Sequence, residues 1–509
     1  MNPTREKRGF VLKSLDIVEK IGNKLPNPAT LFVILSFALI LFSSLLSNLG
    51  VQVQNPVKPD ETLTVKNLLS SSGIAYIFES MVDNFINFAP LGTVLVTMLG
   101  IGVAEQSGLI GASLRALVTS VPTRLITAAL VFGGVMSSMA ADAGYVVLTP
   151  LGGVLFAGLG RHPLAGIAAA FAGVSGGYSA NLLLTSLDPL LGDLTKQAAS
   201  TFDPAYAANM NHAMNYYFMI VSVFFLTIVG TFITEKVIEP RLGKYTGNVT
   251  EKVDYLQPIE KKGLFAALCS LIVTGILVSL LVLPSGGPLR QGTASIIDAP
   301  FMQTLVPVMF IMFFIPGIVY GIFTKTIRND HDVAKKMSDT MATMGSYILL
   351  AFTAGQFIAY FNETKLGTVL AVKGAALIES TGFTGIPLII LFILVTGLIN
   401  LFIGSASAKW AIMAPVFVPI MMQLGYSPEL TQLVYRISDS TTNIISPLLP
   451  YFAVVIAFAQ KYDKKIGIGT LISAMLPYSI AFTIGWVIIL IIWMSTGLPI
   501  GPNSSIYLP

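Results

Sequence analysis

The chain has 509 residues, of which 54% are hydrophobic and only 11% charged, with a mean hydropathy of +0.76 and a net charge of +4. A soluble domain carries about 25% charged residues, so this composition excludes an ordinary soluble fold, and so small a net charge gives no footing for a nucleic-acid partner. Cys269 is the single cysteine, which excludes an intrachain disulfide and a cysteine metal site; lying in an apolar run, it reads as a small packing residue.

Charged residues fill positions 1–25, and the apolar run from Ala29 to Leu49 is too long for the core of a cleavable signal. It reads as a retained first membrane helix. A helix needs about 20 apolar residues to cross a ~30 Å bilayer core. On that basis the sequence predicts nine crossings, at roughly 28–50, 87–107, 162–190, 213–235, 263–284, 302–324, 340–361, 428–456 and 470–495. The stretches 122–160 and 384–425 are also apolar, but each has a small, polar tip near its middle. Both read as re-entrant helical hairpins. The expected fold is an all-α polytopic membrane protein forming one transmembrane domain over 1–509. Its first repeat spans about 28–235 and its second about 263–495.

The two hairpins carry matching punctuation. Pro150, Gly160 and Pro163 align with Pro415, Gly425 and Pro428 at one constant offset. Repeated, interrupted apolar segments point to the substrate site of a secondary transporter.

Basic residues test the topology, because they concentrate in cytoplasmic loops. In the nine-crossing arrangement only Lys58, Lys66, Lys196, Arg290, Lys365 and Lys373 fall outside, while Lys409 and Arg436 lie at membrane depth. Reading 122–140 as a full crossing would put the basic loop 236–262 outside and abolish the bias. The arrangement places the N-terminus in the cytoplasm, the C-terminus on the opposite side, and the hairpins in inverted orientation. The longest cytoplasmic loop is too short to fold alone.

A polar interruption follows each hairpin. The first is Ser175-Gly176-Gly177-Tyr178-Ser179-Ala180-Asn181, with Asp188 beyond it. The second is Ser438-Asp439-Ser440-Thr441-Thr442-Asn443, followed by Pro447 and Pro450. Unwound backbone at membrane depth is tolerated where it is buried in protein or lines a wet cavity. Ser, Thr and Asn oxygens suit a hard cation such as Na+, and half-helix N-termini suit an anion. The bland alternative is hydroxyls bonding back to their own helix.

Five ionisable residues lie at membrane depth: Asp142, Asp188, Lys409, Arg436 and Asp439. Burying a charge there costs at least ~2.5 kcal/mol on insertion scales, which marks each as a functional candidate. Arg436 can clamp a carboxylate with two parallel hydrogen bonds; the alternative is a structural Arg436–Asp439 pair. Asp188 and Asn181 are candidate Na+ ligands, with Asp439 and Asn443 as further ion-coupling residues, and a proton remains open as the coupling ion. A helix-capping Asp188 is the alternative. Lys409 either contacts substrate or holds the second tip, and Trp410 either stacks on an aromatic ligand or packs. His162, His212 and His331 are scattered and make no metal cluster. No catalytic residue is expected. An intramembrane aspartyl protease, with Asp142 or Asp188 paired to Asp439, is the competing class; it needs two carboxylates sharing a proton.

The run Ser407-Ala408-Lys409-Trp410-Ala411-Ile412-Met413-Ala414-Pro415 and the run Tyr435-Arg436-Ile437-Ser438-Asp439-Ser440-Thr441-Thr442-Asn443 resemble the p-aminobenzoyl-glutamate transporter (AbgT) family. The resemblance implies a bacterial inner-membrane homodimer with nine crossings and two hairpins per subunit. It implies transport of a small aromatic carboxylate driven by Na+ or protons, and in some members export of sulfonamide-type antimetabolites. It also implies functional roles for Asp188, Asn400, Ser407, Trp410, Pro428, Arg436, Asp439 and Pro447. A dicarboxylate carrier of related fold is the nearest alternative.

Overall fold

A computed structural model describes residues 26–54, 60–140, 143–243, 245, 255–380, 382, 384–447, 449 and 451–509. These residues are mostly helical, with almost no strand. In lipid every backbone N–H and C=O must be satisfied internally, and a helix does so within one segment. Gln52–Gln54 and Thr62–Thr64 form a small antiparallel pair, with Val53 opposite Leu63.

Five helices are long and apolar enough to cross a membrane: Pro28–Asn48, Tyr216–Leu242, Pro258–Val282, Leu305–Thr324 and Ile468–Thr496. The number rises to eight if each bent helix pair is one span, the sharpest bend being 120° between Leu366–Ser380 and Gly385–Asn400. The first hairpin stretch forms the helices Ile126–Met136 and Ala143–Gly158, and the second forms Gly385–Asn400 and Ala406–Gln423. At 1.5 Å per residue, the 11 residues of Ile126–Met136 fall well short of a bilayer core.

The helices sort into a peripheral set and a central set. Leu305–Thr324 packs against both Pro90–Gln106 and Pro258–Val282, and Pro28–Asn48 packs on Gly345–Glu363. The apolar window of Pro258–Val282 is only 17% buried. Cys269 lies on that helix and is exposed, so the expectation of a packing residue is corrected: this helix turns most of its apolar surface outward.

The central helix is Pro428–Asn443. Thr442 is its only residue not buried. It packs against both arms of the second hairpin, against Leu187–Ser200, against Ile468–Thr496 and against the first interruption. Ser427 caps it by accepting from the Leu430 N–H at 3.0 Å. Pro428 occupies its first turn, where a missing N–H costs nothing.

The two interruptions differ. In the first copy the helix Pro163–Phe171 loosens into a π-turn over Ala172–Gly176, and irregular backbone follows until Leu187–Ser200 begins. In the second copy Ser438–Asn443 is helical and the chain unwinds only from Ile444. The expected break within Ser438–Asn443 is therefore corrected. The Thr442 hydroxyl donates to the Ser438 carbonyl at 2.7 Å and that of Thr441 to the same oxygen at 3.3 Å, the back-bonding that a helix accommodates.

The last residues strap the ends of two central helices. The Phe218 N–H donates to the Ile500 carbonyl at 3.2 Å, and the Ser427 N–H to the Ile506 carbonyl at 3.0 Å.

Candidate functional site

Two buried ion pairs meet on the central helix. Arg436 Nη1 donates to Asp188 Oδ1 at 2.7 Å, and Nη2 donates to the Ser179 carbonyl at 2.8 Å. The central helix is thereby fastened to the first interruption and to the helix that follows it. Asp188 stands in the first turn of Leu187–Ser200, where a helix N-terminus favours negative charge. Its Oδ2 accepts from the Thr185 N–H at 2.7 Å, so it also caps that turn.

Asp439, one turn beyond Arg436, takes Lys409 from the second hairpin. The Lys409 ammonium donates to Asp439 Oδ1 and to Asn400 Oδ1. The Asn400 amide nitrogen shares its two N–H groups among the Asp439 carbonyl at 2.9 Å, Thr442 Oγ1 at 2.7 Å and Asn443 Oδ1 at 2.8 Å. The alternative of an Arg436–Asp439 pair is thus corrected: each finds its partner on another element. Asp188 and Asp439 each hold a different cation, so they form no proton-sharing dyad. Asp142 lies outside the described residues.

Trp410 is fully buried, with its ring stacked on Tyr435 at 4.5 Å between centroids. Its Nε1 donates to Thr195 Oγ1 at 2.9 Å. From there a polar ladder continues through Gln432, whose Nε2 donates to Asn215 Oδ1 at 3.0 Å, to the Glu429 carbonyl, which accepts from Asn215 at 2.9 Å. The Tyr206 hydroxyl donates to Glu429 Oε2 at 3.0 Å; burial, then the neighbouring carboxylate, pushes that phenol's pKa up, so it stays a donor.

The remaining sequence candidates scatter around this centre. Ser407 is half-buried, with its hydroxyl 3.3 Å from that of the capping Ser405. Pro447 is half-buried in the second unwound stretch. Pro428 sits two helical turns from Arg436 and touches neither ion pair. His162 caps the helix Pro163–Phe171 by accepting from the Leu164 N–H at 3.3 Å.

Glu429, Gln432, Thr195 and Asn215 escaped the sequence reading. A signal was present: Glu429, Gln432, Arg436, Asp439 and Asn443 recur at alternating spacings of three and four, which draws one polar stripe along a helix.

Several buried polar atoms here have no hydrogen-bond partner among the described residues: Ser175 Oγ, Ser179 Oγ, Asn181 Oδ1 and Arg436 Nε. Leaving such an atom unpaired costs about 1–3 kcal/mol. The three oxygens are hard donors of the kind Na+ takes, so the residues of the first interruption fit that ion. The Asp188 carboxylate, by contrast, is already engaged by Arg436 and Thr185.

Two cavities approach the centre. One of about 1190 Å³ is lined by Tyr206, Asn211, Asp298, Glu429 and Asn503. The other, about 550 Å³ and apolar, is lined by Met136, Ser137, Leu183, Leu184 and Tyr216 beside the first interruption.

A profile described as the AbgT putative transporter family matches residues 13–508. The chain belongs to the AbgT family. Over 489 residues it is 38% identical to the p-aminobenzoyl-glutamate transport protein of Escherichia coli K12, covering 96% of this chain and 95% of that protein. The crystal structure of the Alcanivorax borkumensis YdaH transporter, described as having an unusual topology, superposes with a TM-score of 0.89 at 45% identity, covering 94% of this chain and all of that one. Neisseria gonorrhoeae MtrF, whose structure is described as illuminating a class of antimetabolite efflux pumps, superposes with a TM-score of 0.90 at 44% identity, covering 96% of this chain and all of that one. This AbgT chain is therefore a membrane transporter of a small substrate and not an enzyme.

Proposed function

We propose that the protein is an ion-coupled secondary transporter of p-aminobenzoyl-glutamate or related aromatic carboxylates, and that it exports sulfonamide-type antimetabolites where the gradient favours efflux. The observation that carries this reading is the buried Arg436 guanidinium, which holds Asp188 and the Ser179 carbonyl while its Nε keeps no partner among the described residues. An incoming carboxylate would compete with Asp188 for Arg436 and take up Nε. Substrate arrival would then loosen the bond between the repeats, which suits alternating access.

In this reading Trp410 and Asn400 shape the ligand side of the site, with Ser407 and Pro447 at its margins. Asp188, Asn181, Asp439 and Asn443 answer to the coupling ion, with Na+ taken by the first interruption. The aromatic substrate in the name of the Escherichia coli relative favours this reading over a plain dicarboxylate carrier. We place the protein as a homodimer in the bacterial inner membrane, one transmembrane domain per subunit, with a cytoplasmic N-terminus and a periplasmic C-terminus.

The test is p-aminobenzoyl-glutamate flux in proteoliposomes under an imposed Na+ gradient and then an imposed pH gradient, for wild type and Arg436→Ala. Uptake that follows one gradient and disappears in the variant supports the proposal and names the ion. Intact protein that moves no substrate under either gradient rejects it.

A further inference from the structure

The two interruptions are unequal in charge. In the second, the Asp439 carboxylate and the Asn400 carbonyl oxygen both receive the Lys409 ammonium, whose side chain is fully buried. In the first, Ser175, Ser179 and Asn181 keep buried oxygens without a partner among the described residues. At the offset that aligns Pro150 with Pro415, the counterpart of Lys409 is Gly144. Gly144 packs against Ser137 and Val174, and any side chain there would collide with them. So one copy carries a cation on its own hairpin tip, and the other has a glycine and unpaired oxygens.

We propose that Lys409 is a built-in cation: its ammonium fills the second-copy cation site, so that a mobile cation binds only at the first interruption. The inference rests on the cation-coupled reading above and sharpens it by taking Asp439 and Asn443 out of the mobile-ion site.

The surroundings of Lys409 support a dedicated occupant. It is the only charged residue of Ala406–Gln423, and Gly385–Asn400 carries none. The central helix brings Glu429, Tyr435, Arg436 and Asp439. Leu187–Ser200 brings Asp188, Asp193 and Lys196; Leu366–Ser380 brings Lys373 and Glu379; Gly345–Glu363 brings Tyr347, Tyr360 and Glu363. Of all these, Asp439 alone is bonded to the ammonium. Asp188 is held by Arg436, and Asp193 accepts from Thr93 at 2.6 Å. The Asn443 amide donates to Asp439 Oδ2 at 3.3 Å, so the carboxylate is held in place from a second side. Removing the ammonium would leave a buried carboxylate and an amide oxygen facing one point, a donor set that suits Na+.

The experiment counts Na+ on the purified full-length protein at one fixed pH, by binding of radioactive Na+, with thermal stability in NaCl against choline chloride as the second readout. Lys409→Gln should gain a Na+ site that wild type lacks, and the double variant Lys409→Gln/Asp439→Asn should lose it again. Lys409→Arg, which keeps the charge, should match wild type. Folded Lys409→Gln with the wild-type Na+ count, or a gain that survives Asp439→Asn, would overturn the proposal. A Lys409→Gln chain that folds in NaCl but not in choline chloride supports it. Lys409→Ala, which opens more room, is scored with methylammonium chloride as the probe: stabilisation relative to choline chloride supports the built-in cation, and equal stability in both salts overturns it. Failure of Na+ coupling itself looks different, because wild type would then bind no Na+ while Lys409→Gln still gains its site.

Discussion

Arg436 Nη1 and Asp188 Oδ1 lie 2.7 Å apart although 248 positions separate the two residues in the chain. They join the central helix to the helix that follows the first interruption. The side chain of Arg436 is 2% exposed and that of Asp188 9%, so both charges are shielded from bulk solvent. Breaking such a pair by removing one partner costs about 3–5 kcal/mol, because an uncompensated buried charge remains. Arg436→Ala and Asp188→Ala should each lower the unfolding midpoint in detergent markedly. The double replacement Arg436→Met/Asp188→Leu should recover much of that loss without restoring flux. A double variant no more stable than the singles would show that the pair is not what holds these two helices together.

Trp410 offers a finer test. Trp410→Phe keeps an aromatic ring against Tyr435 but removes the Nε1 hydrogen bond to Thr195. The expected cost is about 1 kcal/mol. Trp410→Ala also leaves a cavity and should cost about 3–5 kcal/mol. Chemical denaturation of the two variants should separate them in this order; equal losses would mean that the hydrogen bond, not the ring, dominates.

Pro428 is a first-turn residue whose ring suits a helix start and whose position is remote from both ion pairs. Pro428→Ala should change stability by at most about 1 kcal/mol, and transport should stay within a few-fold of wild type. A tenfold loss of flux with the folded fraction unchanged would give this proline a functional role that its geometry does not supply.

Gly134, in the first hairpin, lies against the first interruption. A Cβ there would stand 2.8 Å from the Ala170 carbonyl oxygen and 2.8 Å from Gly173 Cα. Both obstacles are backbone, so nothing can turn aside, and overpacking of this kind costs about 1–3 kcal/mol. Gly134→Ala should lower the thermal midpoint. Gly158→Ala, with open space around it, should not.

Much of this molecule was legible without coordinates. Apolar runs and interrupted hairpins point to membrane helices because lipid leaves the backbone no other partner. The charges at Asp188, Lys409, Arg436 and Asp439 stood out because ionised groups are costly in apolar surroundings. The outward-facing Cys269 was not legible: hydropathy reports that a segment is apolar, not whether protein or lipid lies beside it.

Pairing was the other thing hidden. Arg436 and Asp439 are three residues apart, and helical spacing alone allowed them to bond. Only the packing of Leu187–Ser200 and Ala406–Gln423 against the central helix brought Asp188 to one and Lys409 to the other. The end of the central helix was likewise a tertiary decision. Ser, Thr and Asn residues sit equally well in a bent helix or in an unwound turn, and here their hydroxyls found carbonyls one turn back. Sequence determined which groups are too costly to bury alone; the tertiary structure decided which of them meet, because partners on separate elements are chosen by packing and not by distance along the chain.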